Sequence, residues 1–548
     1  MRSVSKLSFF FALAAITLVA FVFRAIDTGN RPMHGDEAVH AEKFKELWET
    51  GVYHYDSNEY HGPTIYYAAL PSVILHGRHS WPETREADYR LPIAFFGAGM
   101  LLFLLPMAEG LGRRAALTAA LFIAISPAFV FYSRYFIQEI PFVCFTLGAL
   151  AFGWRWAVSR KSSWLIGSAV CAGLMIASKE TSILTIAAVI IAAVATLWLS
   201  KKRDCKSIDL RKLITLPNIA LSIAIALVVA IVLVSGFLKN PSGAVGYLRA
   251  YAPWFHRAKG DAGIHNHPFY YYLQMLIFTH KQYQGVWGGR WSEALIFVLG
   301  AIGAVVALTR VDRQESKSKA EGSVVLWRFI AFYTIALTLI YSLIPYKTPW
   351  CLLSFWLGFC LLAGLGVCEL YRRLKPAPLR AALGIVLGIG VVQLGNQAFR
   401  ASFMSNADPN NPYVYAATSA DVLKLQERID GLAKAWPAHN KMVIKVFSTS
   451  DYYWPLPWYL RRYPNVGYYS HAPKTKEEAE AEVTLCDTTL DDQLTALLTD
   501  DLMNGINEVR PRTYFVETFI RMDVWTTYLN WKNGGVVKKF VPPPPASD

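Results

Sequence analysis

Charge is what this 548-residue sequence has little of: Asp, Glu, Lys and Arg make up 17% of it and hydrophobic residues 54%, where an ordinary soluble chain carries about 25% charge. That deficit excludes a soluble enzyme. Cysteine is also sparse and unpatterned. Cys144, Cys171, Cys351, Cys360 and Cys368 lie in apolar runs, Cys205 in a basic loop and Cys486 near the C-terminus, with no CxxC pair and no disulfide framework. The HExxH signature of a membrane zinc peptidase is absent, and no segment repeats another.

What is present is a series of long apolar runs that stops near Asn396. With about 20 apolar residues per crossing, helices are expected near 7–26, 91–108, 115–132, 140–158, 164–178, 180–199, 216–238, 291–309, 327–345, 351–371 and 381–397, eleven in all. Arg2 and Lys6 precede the first run as in a signal peptide, but no small-residue cleavage site precedes Arg24 and more spans follow. It reads as an uncleaved transmembrane helix. With the N-terminus cytoplasmic, every inner loop is basic: Arg113 and Arg114, Arg160 and Lys161, the cluster from Lys201 to Lys212, the cluster from Arg310 to Lys319, and Arg372 to Lys375. The net charge of +14 is thus a topology signal. Nucleic acid is not an expected partner; the lipid bilayer is.

The opposite face receives 27–90, the turns at 133–139, 178–180 and 344–350, the stretch 239–290, and everything after 397. All twelve histidines fall there. In the first outer segment, EAVHAEKFKELWETG should form an amphipathic helix ending at Gly51, and Pro63 should open a second, interfacial helix over Thr64–Leu75. The segment HNHPFYYYLQMLIF at 265–278 offers the same interfacial chemistry. The tail carries 16 basic against 18 acidic residues, so the excess positive charge all precedes it. It reads as a small α/β domain, with a serine-capped helix at 419–434, a strand at 442–447, a helix at 451–462, a strand at 514–517 and a disordered proline-rich end, VPPPPASD.

Acids and bases press against the short outer turns. Asp36 and Glu37 follow the first span; Arg134 and Glu139 bracket one turn, Lys179 and Glu180 occupy another, and Lys347 lies between Tyr346 and Trp350 in a third. Taken alone, Asp36 would cap a helix and Glu37 decorate its first turn, and an Arg with an acid five residues on can be a structural ion pair. Together, three cations beside two sets of acids at one membrane face have the chemistry of a phosphate-handling site facing an acid/base centre. His34 and His61 can assist as metal ligands or hydrogen-bond donors, or serve the structure alone.

HGDEAVHA at 34–41, RLP at 90–92, SRYFIQE at 133–139, SKET at 178–181 and IPYKTPW at 344–350, in this order and spacing, resemble the protein O-mannosyltransferase-like branch (glycosyltransferase family 39-like) of the GT-C glycosyltransferases. NPYVYAATSADVLKL at 411–425 and DYYWPLPWYLRRYPNVGYY at 451–469 are similar to its flippase-activity-associated group. The resemblance implies a polytopic α-helical membrane protein, GT-C-like with about 11 transmembrane helices over 1–397 including the outer loop 27–90, followed by a soluble extracytoplasmic α/β domain over 398–548. It implies a hexosyl- or pentosyltransferase of the plasma (inner) membrane that uses a polyprenyl-phosphate-linked sugar as donor, with inversion, and an acceptor that is a glycan, lipid or protein. Carried over residue by residue, Asp36, Glu37 and Glu139 match the catalytic acids. Asp36 and Glu139 are the candidate ligands of a divalent metal cation. Arg134, Lys179 and Lys347 match the donor-phosphate cations, with His34, His61, Glu180 and Tyr346 in support. The β-trefoil insertion of the eukaryotic protein mannosyltransferases is missing. The alternative is a non-catalytic accessory, flippase or transporter for lipid-linked sugars, which should show a path through the bundle.

Overall fold

The computed structural model describes residues 4–57, 61–202, 215–252, 263–310, 322–449, 453–498 and 503–534. The basic residues from Arg203 to Lys212 and from Arg313 to Lys319, Cys205, and the VPPPPASD end lie outside them.

All eleven apolar segments are helical. The first is α1 (Lys6–Ala25), whose first turn is capped by the Ser5 hydroxyl accepting from the Ser8 amide at 2.9 Å. After two extramembrane helices, α2 (Gly35–Thr50) and α3 (Thr64–Leu75), come α4 (Glu86–Gly99) and α5 (Leu104–Leu111), joined by a 3-10 turn at Met100–Phe103. The third expected span is split. Pro127 has no amide hydrogen to continue the helix, so α6 (Arg113–Ile125) ends there and α7 (Pro127–Tyr132) starts anew, capped by Ser126. Then follow α8 (Glu139–Ser159), α9 (Ser162–Ser178), α10 (Ser182–Lys202), α11 (Leu216–Val234) and a short α12 (Ser242–Arg249). The chain continues through α13 (Tyr271–Ile277), α14 (Ala294–Thr309), α15 (Val324–Leu343), α16 (Leu353–Arg373) and α17 (Ala377–Phe399). Among the described residues, eight helices are long and apolar enough to cross a membrane, while α9 and α14 are apolar but only 17 and 16 residues long.

Small residues let the helices approach. A Cβ on Gly303 of α14 would stand 2.0 Å from the Leu362 carbonyl of α16, and one on Gly366 of α16 would stand 2.1 Å from the Leu299 carbonyl. In lipid, where burial of apolar surface between helices contributes little, such backbone contact is the main source of packing.

Outside the bundle, α2 begins with a capping box, His34 Nδ1 accepting from the Asp36 amide and Glu37 accepting from the His34 amide, and ends at Gly51 with φ +65°. A β-hairpin not expected from the sequence, β1 (Thr279–Tyr283) and β2 (Val286–Trp291), turns through Gln284 and Gly285, both at positive φ.

After a linker from the end of α17, the C-terminal part folds as a five-stranded mixed sheet in the order β4-β3-β5-β7-β6, built from β3 (Ile444–Phe447), β4 (Val466–Tyr469), β5 (Val483–Asp487), β6 (Met503–Arg510) and β7 (Tyr514–Ile520). Strand β3 runs parallel to both β4 and β5, and β7 pairs antiparallel with β5 and β6. Two helices, α18 (Asp421–Ala435) and α19 (Met522–Lys532), accompany it. Two local expectations change. Ser419 accepts from the Asp421 amide at 3.3 Å but stands outside the helix, and the expected helix at 451–462 is one turn, Leu456–Tyr459, interrupted by Pro455 and Pro457.

This part is docked on the segment between α1 and α4. The Met33 amide donates to the Tyr459 hydroxyl at 2.6 Å, Thr418 donates to the Met33 carbonyl at 2.7 Å, and the Trp458 indole donates to Glu86 at 2.8 Å. Asp36 and the C-terminal sheet therefore share one side of the bundle.

Candidate active site

A cavity of about 500 Å³ opens where these elements meet. Its wall takes His34 and Asp36 from the start of α2, His61 from the loop before α3, Glu139 from the first residue of α8, Lys179 and Glu180 from the α9–α10 turn, and Tyr346 from the turn before α16. Segments far apart in sequence thus converge on one end of the bundle.

Asp36 and Glu37 part company. Successive helical residues point about 100° apart, so Asp36 faces the cavity with its side chain 53% exposed while Glu37 turns into the protein. Glu37 does not line the cavity. It accepts from Arg90 Nε and Nη2, both at 2.8 Å, from Arg31 at 3.0 Å, and from the Phe136 and His34 amides at 2.8 and 3.0 Å. Burial would raise its carboxyl, but Arg90 and Arg31 hold it well below the usual carboxylate range. Beside Asp36, His34 Nδ1 accepts from the Asp36 amide at 3.1 Å, so Nε2 carries the hydrogen and donates to the Tyr415 carbonyl at 2.5 Å.

Glu139 is buried against Lys179, whose ammonium also lies 3.9 Å from Cys351 Sγ. Burial would lower that ammonium, yet the Cys351 sulfur and the Glu139 carboxylate raise it well above the ordinary lysine value. Glu180 accepts from the Tyr55 hydroxyl at 2.5 Å and from His61 Nδ1 at 2.6 Å. That pairing depends on a close approach: a Cβ on Gly62 would stand 1.8 Å from the Ala177 carbonyl. His40, also in the cavity wall, bonds Tyr66 at 2.9 Å and is pushed down to about 3 by burial.

Two expected cations lie elsewhere. Arg134 donates to the carbonyls of Arg24, Ile26 and Asp27 at 2.9, 2.5 and 3.1 Å, does not pair with Glu139, and is pushed down to about 9 by burial. Lys347 is folded onto the carbonyls of His267 and Ile344, and burial lowers its ammonium. Neither lines the cavity. At these turns each satisfies backbone carbonyls that would otherwise be buried without donors.

The sequence profile of the dolichyl-phosphate-mannose-protein mannosyltransferase family matches residues 83–235, from the start of α4 to the end of α11. No curated protein sequence matches the chain. Among solved structures, the fold is similar to ArnT from Cupriavidus metallidurans bound to undecaprenyl phosphate, with 15% identity, 93% of this chain and 97% of that chain covered, and a TM-score of 0.57. It is also similar to the oligosaccharyltransferase AglB from Archaeoglobus fulgidus in complex with an inhibitory peptide and a dolichol-phosphate, with 12% identity, 88% of this chain and 70% of that chain covered, and a TM-score of 0.54. The fold is thus shared with ArnT and AglB, and residues 83–235 within it match the mannosyltransferase profile.

The cavity holds three carboxylates, of which Glu139 is taken by Lys179 and Glu180 by His61 and Tyr55. Among the described residues no group of three or more His, Cys, Asp or Glu is arranged to hold a metal ion. A divalent cation between Asp36 and Glu139 would have to compete with the Lys179 ammonium. These donors do not fit a resident cation.

Residues whose role the sequence did not mark also line the cavity, among them His40, His265, Tyr415 and Arg510. Tyr415 bonds His265, and His265 packs on Tyr346 with ring centroids 4.8 Å apart. Arg510 ends β6 just after a register shift between Glu508 and Arg510. Bulges of this kind re-aim a side chain next to a functional site. In the sequence Arg510 is one of several basic residues in a polar tail, and nothing marks it.

Proposed function

We propose that this protein is a GT-C glycosyltransferase that moves a sugar from a polyprenyl-phosphate-linked donor to an acceptor hydroxyl on the extracytoplasmic face of the plasma membrane, with inversion at the anomeric carbon. The observation that carries this reading is the division of charge in the cavity. Asp36 stands half exposed on one side, while Lys179 and Arg510 bring positive charge to the same space.

In this reading the acceptor oxygen attacks C1 as its proton passes to Asp36, the bond from C1 to the phosphate oxygen breaks, and the electron pair leaves with the lipid phosphate. Preorganised cations stabilise that departing charge. Lys179 serves while remaining bonded to Glu139, which keeps it charged, and the Glu180–His61 pair orients polar groups of the sugar. The lipid phosphates bound in ArnT and AglB support the donor class, and the basic residues Arg113, Arg114, Arg160 and Lys161 at the opposite end of the bundle support the sidedness.

The test is Asp36→Asn. It keeps size and removes charge, and His34 rather than Asp36 caps α2, so the protein should accumulate normally while transfer falls by about 10² to 10⁴. Transfer measured in membranes with the lipid-linked donor reads the outcome. Near-normal transfer would remove Asp36 as base and favour an accessory role in moving lipid-linked sugars.

A further inference from the structure

A second recess lies at the other end of the same helices. Glu139 opens α8 at the catalytic cavity and Arg155 lies in its last turns, so the two are separated along the helix by about 24 Å at ~1.5 Å per residue. Around Arg155 a groove of about 800 Å³ is formed by α1, the α4–α5 stretch, α8 and the start of α9. Nothing in the transfer chemistry uses it.

Its lining is graded along the membrane normal. Lys6 in the first turn of α1, Glu109 in the last turn of α5, Arg113 opening α6 and Arg155 near the end of α8 all sit at one level. Glu109 lies 3.3 Å from Arg155 and 4.0 Å from Lys6, and Arg113 donates to the Val4 carbonyl at 2.6 Å. Two of the three cations thus share the one carboxylate while Arg113 bonds a backbone carbonyl, leaving the rim positive. One to two turns deeper the wall becomes phenyl: Phe9, Phe103 and Phe152, then Phe96 and Phe145. The wall is indented at Gly99, where the helix passes into the 3-10 turn Met100–Phe103, and a Cβ built there meets nothing within 4 Å.

We propose that this groove binds an anionic phospholipid of the leaflet opposite the catalytic cavity, with its headgroup phosphate among Lys6, Arg113 and Arg155 and one acyl chain along the phenyl wall past Gly99. A positive rim above an apolar slot at the basic side of a bundle has the charge and depth of an anionic lipid, and basic pockets between helices on that side are where such headgroups lodge. A neutral lipid would satisfy the slot but not the rim.

The experiment uses the full-length protein, with phosphatidylglycerol and phosphatidylcholine as probes, and native mass spectrometry of the lipid retained over a titration. Wild type should retain phosphatidylglycerol in preference to phosphatidylcholine. The Arg113→Gln/Arg155→Gln double variant should weaken phosphatidylglycerol by about fivefold per cation removed and abolish the preference. Gly99→Leu keeps every charge and fills the slot, so it should weaken both lipids. The assignment is overturned if wild type shows no preference, or if it and both variants retain phosphatidylglycerol equally. Displacement of phosphatidylglycerol by equimolar undecaprenyl phosphate also overturns it, because the groove would then belong to the carrier lipid. Asp36→Asn should leave retention unchanged, so this outcome and that of the transfer assay are read separately.

Discussion

Asp36 and Glu37 are chemically near-identical neighbours, yet one faces the cavity and the other closes a buried cluster with Arg31 and Arg90. Neutralising each should therefore do different things. Glu37→Gln removes the counter-charge of two buried guanidinium groups, and breaking a buried pair in this way typically costs about 3–5 kcal/mol. The expected outcome is a large loss of folded protein, read as a lower melting temperature and yield in detergent, alongside normal accumulation of Asp36→Asn. A Glu37→Gln protein that melts like wild type but loses transfer would place Glu37 in the chemistry. Burial also separates the expected cations, since Arg134 and Lys347 spend their donors on backbone carbonyls while Lys179 keeps its charge in the cavity wall. Sequence spacing lists all three alike. Which direction each long side chain takes depends on the carbonyls left over by neighbouring segments.

At the level of elements, the site is a set of helix ends and turns rather than one motif. The loop before α3 reaches the α9–α10 turn only because Gly62 has no side chain, and this brings His61 onto Glu180. Gly62→Ala should push the loop off the Ala177 carbonyl. Overpacking of this kind costs about 1–3 kcal/mol, and transfer should fall together with stability, measured as rate per folded molecule against melting temperature. Unchanged transfer and melting would show that the loop relaxes freely. The elements most plainly written in the sequence are those with regular apolar patterning or strong turn signals, such as α2 with Gly51 after it and strands β3 and β7. Strands β4, β5 and β6 escaped, and single residues govern other departures: Pro127 splits a span, Pro455 and Pro457 shorten a helix to one turn, and the Gln284–Gly285 turn makes a hairpin inside a stretch read as an outer loop.

On the scale of the whole molecule, bundle and C-terminal sheet form one buried apolar cluster running from Phe9 to Val524. Tyr413 ties them at depth, its hydroxyl donating to Glu293 at 2.7 Å while its carbonyl accepts from Tyr132 at 2.7 Å. A domain anchored this firmly can complete the cavity, and Arg510 is the charge it brings. Arg510→Gln should raise KM for the lipid-phosphate donor by about tenfold or more, the scale of one charged hydrogen bond, without changing the melting temperature. Donor kinetics equal to wild type would reduce the C-terminal domain to a support for the outer loop.

Polarity and periodicity by themselves determined that this chain is a polytopic membrane protein, where its helices run, that an α/β domain follows them, and that acids and bases press against its short turns. Those properties are local: transfer of an apolar run into lipid and hydrogen bonding within a helix depend only on neighbours in the chain. Which charges meet was decided by the tertiary structure alone. The Lys179–Glu139 and His61–Glu180 pairs join residues 40 and 119 positions apart, and Arg510 reaches the cavity from a strand in another domain. A buried charge takes whichever partner the packing brings within hydrogen-bond distance, because leaving it unpaired costs more than any local preference can offset.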